Sequence, residues 1–143
     1  MNDLNQYGRR DSVEILNLSE DITQSKLENY VINFLRTIDV HVQPDDIIAV
    51  HRLGKYNAMY NRNIIIKFLN RKNSINCLKN RKKIKKLSNK YNNLYIIDNL
   101  SPYNKKIFNK LYKMKQDDSI FKVWSYNGGV YAVFKEGGYP AHI

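Results

Sequence analysis

The apolar positions of this chain change period along its length, and each change predicts an element. Ser12 to Leu18 (SVEILNL) places Val13, Ile15 and Leu18 in the pattern of a buried strand. Leu27, Tyr30, Val31, Phe34, Leu35 and Ile38 then recur at helical spacing, and Ser25 with Glu28 three residues later has the form of a capping box. Pro44 opens a turn before Asp46 to Leu53 (DIIAVHRL), a second predicted strand. Gly54 to Arg62 is a polar, hairpin-like loop, and Asn63 to Leu69 (NIIIKFL) is a β-branched third strand. Arg71 to about Lys83 reads as a helix carrying Ile75, Cys77 and Leu78 inward, and Leu94 to Ile97 (LYII) makes a fourth strand.

The order β-α-β-β-α-β predicts an α+β fold. Residues 11–98 would form an RNA-recognition-motif-like (ferredoxin-like) domain, with two helices on one face of an antiparallel sheet and the other face open for use. Residues 1–10 are polar and expected to be flexible. Residues 99–143 are expected to form a small C-terminal domain of one helix and a hairpin. Ser101 caps the helix with Pro102 at its first position, where a missing amide hydrogen costs nothing. FKVWSY and GVYAVF then flank Asn127-Gly128, a strong hairpin signal. A helix plus a two-stranded hairpin is too small to make an independent core.

Residues Val13, Ile15, Asn17 and Leu18 resemble the first strand of an RNA-recognition motif, but Glu14 stands where that motif stacks an aromatic ring on a base. The third-strand pattern likewise puts Asn63 and Ile65 at the aromatic positions. A sheet face of Glu14, Leu16, Ile65 and Lys67 is better suited to contacting protein than to stacking bases, so Glu14, Leu16 and Ile65 are candidate protein contacts.

Charge changes the picture. The net charge is +11, and it is uneven: residues 1–50 carry 4 basic and 9 acidic side chains, residues 51–143 carry 20 and 4. The second half is therefore the half that would face a polyanion. Lys79 to Lys86 (KNRKKIKK) puts six cations in eight residues, including Lys82, Lys83, Lys85 and Lys86. A helix end attracts a few lysines through its dipole, and six exceed that need, so phosphate contact or nuclear-import recognition stands as an equal alternative to a solvated helix end. Lys106, Lys110 and Lys113 share one face of the C-terminal helix, opposite Ile107, Phe108, Leu111 and Met114. Arg52 and Lys55, near Arg62, flank a loop where planar guanidinium groups can clamp phosphates, unless Arg52 is instead paired with an acidic neighbour. On the hairpin, Tyr126 is a candidate for base stacking, whereas Trp124 reads more readily as core than as a stacking ring.

The single cysteine, Cys77, and three scattered histidines offer neither a disulfide nor zinc spacing. No hydrophobic signal core or membrane-length apolar run is present, so an intracellular protein without membrane insertion is expected. There is no phosphate-cradling glycine loop and no carboxylate pair near a histidine, so neither catalysis nor a cofactor is expected.

Four segments, AVHRLGK (Ala49 to Lys55), IIIKF (Ile64 to Phe68), DNLSP (Asp98 to Pro102) and VWSYNGGVYAV (Val123 to Val133), together resemble the baculovirus few-polyhedra (FP) family. That family is itself similar to the RNA-binding first proteins of LINE-type retrotransposons. The resemblance spans roughly Asp11 to Phe134. It implies an RNA-recognition-like domain followed by a small C-terminal domain, with nucleic acid held in a basic cleft between them. Arg52, Lys55 and the helix after DNLSP would line that cleft. It also implies a role in virion morphogenesis, in the host nucleus or cytoplasm or with the virion. The implied partners are single-stranded DNA or RNA and viral structural proteins. The retrotransposon proteins trimerise through an upstream coiled coil, whereas only about ten residues precede the first strand here, so a homo-oligomer, where one forms, is expected to use another route. The competing reading is a structural adaptor that uses its sheet face for protein contacts.

Overall fold

The computed structural model describes residues 8–87, 90–126 and 128–143. The chain is α+β and divides into two compact units. One is Asp11–Ile97; the other joins residues 98–143 to the described residues 8–10.

In the first unit, strand β1 (Ser12–Leu16) is followed by helix α1 (Gln24–Thr37), strands β2 (Ile47–Arg52) and β3 (Ile64–Phe68), helix α2 (Arg71–Asn80) and strand β4 (Tyr95–Asp98). Their sheet has the order β2-β3-β1-β4. Register follows the pleat. Val13 faces Ile66 across the β1-β3 ladder and Val50 faces Ile66 across β2-β3, so these apolar side chains share one face. That face packs against Leu27, Val31, Phe34 and Leu35 of α1 and Cys77 and Leu78 of α2 in one buried cluster. Phe34 and Phe68 are completely buried in it, and cutting either to alanine costs about 3–5 kcal/mol.

Element boundaries differ from the sequence pattern for local reasons. β1 ends at Leu16 rather than Leu18, because Asn17 turns into the left-handed region at φ 76° and donates its side-chain amide to Asn93 O at 3.0 Å. The capping box expected at Ser25 does not start α1. The helix begins at Gln24 after Thr23, whose hydroxyl lies 3.2 Å from that of Ser25, while Gln24 Nε2 donates to Val50 O at 2.8 Å and ties the helix start to β2. β2 carries a bulge between Ile47 and Ala49, which leaves Ile48 exposed. α2 stops at Asn80, and Arg81–Lys86 continues as a 3-10 helix. At its start the Asn70 side chain accepts from Lys72 N at 2.8 Å.

The second unit contains helix α3 (Pro102–Gln116) and a three-stranded sheet, β5 (Lys122–Tyr126), β6 (Gly129–Val133) and β7 (Ala141–His142), in that order. Ser101 caps α3 as expected, its hydroxyl accepting from Asn104 N at 3.2 Å. The hairpin forms where expected. Asn127 lies outside the described residues, and Gly128 takes φ 82°, the left-handed conformation glycine allows. Asp98 Oδ2 accepts from Gly128 N at 2.8 Å, and Asn104 Nδ2 donates to Gly128 O at 3.0 Å, so the hairpin turn is held from the start of α3. The sequence pattern missed β7. Leu100, Leu111, Ile120, Val130 and Ala132 form a buried cluster within this unit.

Candidate nucleic-acid interface

Glu20 lies in the connection between β1 and α1, and two arginines converge on it. Arg52, the last residue of β2, sends its guanidinium back across the sheet end. Nη1 donates to Leu18 O at 2.8 Å and Arg62 O at 3.1 Å, and lies 3.3 Å from Glu20 Oε2. Nη2 donates to Ser19 O and to Ile22 O. The Arg52 side chain is only 6% exposed. Arg62 adds Nη2 to Glu20 Oε1 at 2.9 Å, Nε to both carboxylate oxygens, and Nη1 to Gly54 O at 3.1 Å. Hydrogen bonding from Arg62, assisted by the charge of both arginines, holds the Glu20 carboxyl below the usual carboxylate range against the opposing effect of burial. Burial pushes Arg52 below the usual arginine range, as does the Arg62 charge, while Glu20 opposes both.

This geometry corrects the expectation that Arg52 and Arg62 clamp phosphates. Their donors close the loop of residues 18–22 onto β2 and the β2-β3 loop, and a phosphate would have to displace bonds already made. Lys55, on the loop after Arg52, is exposed.

The Lys79 to Lys86 run behaves differently. It spans the end of α2 and the 3-10 helix, and Ile84 alone in that helix is buried, 3% exposed, anchoring a turn whose Lys82, Lys85 and Lys86 are exposed. Lys83 is half-buried and donates to Asp39 Oδ2 at 2.7 Å. That hydrogen bond, with the Lys83 charge, lowers the Asp39 carboxyl. Because both side chains are substantially solvated, this pair competes weakly with another anion.

Two further expectations concern the sheet. Glu14 is 1% exposed and accepts from Asn63 Nδ2 at 3.0 Å, which corrects its assignment as a protein contact, since a buried carboxylate offers nothing to a partner. Leu16 and Ile65 are half-buried.

On α3, Lys106, Lys110 and Lys113 are exposed along one face while Ile107, Phe108, Leu111 and Met114 pack inward. Tyr103, 63% exposed, sits at the N-terminal end of that lysine face at helical spacing, a residue the charge pattern alone did not single out. Tyr126 is 38% exposed.

Trp124 is not core. Alternation along β5 puts Val123 and Ser125 toward the helix and Lys122, Trp124 and Tyr126 on the opposite face, where Trp124 is half-buried and outside both apolar clusters. Strand pairing sets it beside Tyr131, and Tyr131 beside His142. The ring centroids are 5.8 Å and 4.6 Å apart, with planes 14° and 17° from parallel. The period-two pattern of β5 and β6 carries the signal for Trp124 and Tyr131; nothing local marks His142.

Among the described residues, no helix is long and apolar enough to cross a membrane. No protein-family model matches the chain, and no curated protein matches it.

Proposed function

We propose that this protein binds single-stranded nucleic acid with little sequence preference, as a basic protein of the few-polyhedra type whose first unit is RNA-recognition-motif-like. The order β2-β3-β1-β4 supports the domain reading: β3 lies between β1 and β2, and β1 between β3 and β4, which is the split arrangement of that fold. The observation that carries the function is the exposed cluster of Lys79, Lys82, Lys85 and Lys86 on a turn pinned by buried Ile84. Such a density of ammonium groups attracts a polyanion beyond what a helix end requires. Glu14, Asn63 and Ile65 put no ring at the positions where an RNA-recognition motif stacks bases, which favours charge as the source of this unit's affinity. The Lys106, Lys110 and Lys113 face extends the same chemistry to the second unit.

The test is binding of labelled single-stranded DNA and RNA oligonucleotides over a salt series. Log affinity is expected to fall linearly with log salt, by about 0.7 for each phosphate contacted. A slope near zero removes this reading. A specific observation favours a second one, a structural adaptor for viral proteins: Tyr56, Met59 and Tyr60 are 65%, 88% and 58% exposed on the loop between β2 and β3. Salt-insensitive capture of a viral structural protein, lost on Met59→Asp, would favour the adaptor.

A further inference from the structure

We propose that the outer face of the C-terminal sheet is a base-stacking platform for single-stranded nucleic acid, with Trp124, Tyr131 and His142 as its rings. The inference rests on the nucleic-acid reading above and gives it a second contact of different chemistry. Register puts the three rings in one row across three strands, on the face that the apolar core does not use. Rings in close contact have planes about 3.5 Å apart, so a centroid separation of 5.8 Å in nearly parallel rings means a lateral offset that leaves part of each face uncovered. His142 stands on β7, the last strand in the order β5-β6-β7, and is exposed, so a base can continue the row past it.

Gly129 makes room for the row, because the His142 and Tyr131 rings fill the space its missing side chain leaves. Gly129 pairs with Tyr126, and a Cβ at Gly129 would lie 2.8 Å from His142 Nε2 and 3.2 Å from Tyr131 Cε2. A side chain there would push His142 out of line. What selects nucleic acid as the occupant is charge. Lys122 Nζ lies 5.4 Å from the Trp124 ring centroid, and residues 98–143 carry seven lysines against four carboxylates. A π surface with an ammonium group beside it, on a unit of net positive charge, suits a strand that presents bases and phosphates together.

Trp124 is the single tryptophan of the chain, so its emission reports this face alone. The full-length protein is titrated with an oligothymidine strand and with an abasic strand of equal length, at constant salt. Expected is strong quenching of Trp124 by the thymidine strand, no quenching by the abasic strand, and affinity for the thymidine strand about tenfold higher. His142→Ala and Gly129→Ala, which keep the tryptophan, are expected to reduce the quenching and remove most of that preference. Binding of both strands with equal affinity, or thymidine binding without quenching, overturns the platform while leaving the charge-based function in place. Failure of both strands to bind overturns both. A shift in Trp124 emission with protein concentration alone would mark a second copy on this face and also overturn the proposal.

Discussion

The Arg52 guanidinium lies 3.3 Å from Glu20 and donates to the carbonyls of Leu18, Ser19 and Ile22 around it, so a residue at the end of β2 shapes the loop that leads into α1. Arg52→Ala would strand these carbonyls and leave Glu20 to Arg62. We expect it to lower stability, read by denaturant unfolding, because the Leu18, Ser19 and Ile22 carbonyls lose the donor that holds them. The salt dependence of oligonucleotide binding should not change. A reduced salt slope in a variant that melts like the wild type would return Arg52 to the phosphate-binding set.

Glu20 makes stability depend on pH with a definite sign. Its carboxyl is held below the ordinary range in the folded protein, so the folded state binds fewer protons than the unfolded chain as pH falls. The stabilisation is complete above the ordinary carboxylate pKa and is lost as pH falls through the lowered folded value. Glu20→Gln should therefore be less stable than wild type at neutral pH and should approach it on acidification. Thermal melts of both proteins from neutral to acid pH measure this, and parallel curves would show that Glu20 is not the titrating group.

Cys77 is fully buried in the α2 contact with the sheet, and burial pushes its thiol up to about 12. The thiolate is the reactive form, so modification in the native protein must wait for opening of the core. A thiol reagent at neutral pH should label Cys77 roughly a thousandfold more slowly than in denaturant. Rapid labelling without denaturant would mean that α2 opens independently of the rest of the core.

Neutralising Lys82, Lys85 and Lys86 to glutamine should leave the fold intact, since all three are exposed and Ile84 keeps its buried place. The salt slope for single-stranded oligonucleotides should fall by about 0.7 per contact removed, roughly 2 for the three together, without altered base preference. An unchanged slope would assign this run to solvation rather than binding.

The order of elements was legible in the sequence because each rests on neighbours in the chain: the helical spacing of Leu27 to Ile38, the β-branched run of Ile64 to Ile66, the Ser101-Pro102 helix start and the two halves of the hairpin. The exposure of Lys106, Lys110 and Lys113 was legible for the same reason, since a helix that buries Leu111 must turn its opposite side to water. The partners of charged and aromatic side chains were not. Arg52 reads equally as a phosphate ligand or as the partner of an acidic neighbour until the fold carries residues 18–22, some thirty positions away in sequence, to its guanidinium. Glu14 reads as a surface residue until it is seen buried against Asn63. Trp124 reads as core until strand pairing sets it beside Tyr131, and His142 has no meaning until a two-residue strand brings it alongside. Periodicity is a local property that a sequence contains, whereas the neighbours of a guanidinium, a carboxylate or a ring are chosen by which distant segments the folded chain brings within a few ångströms.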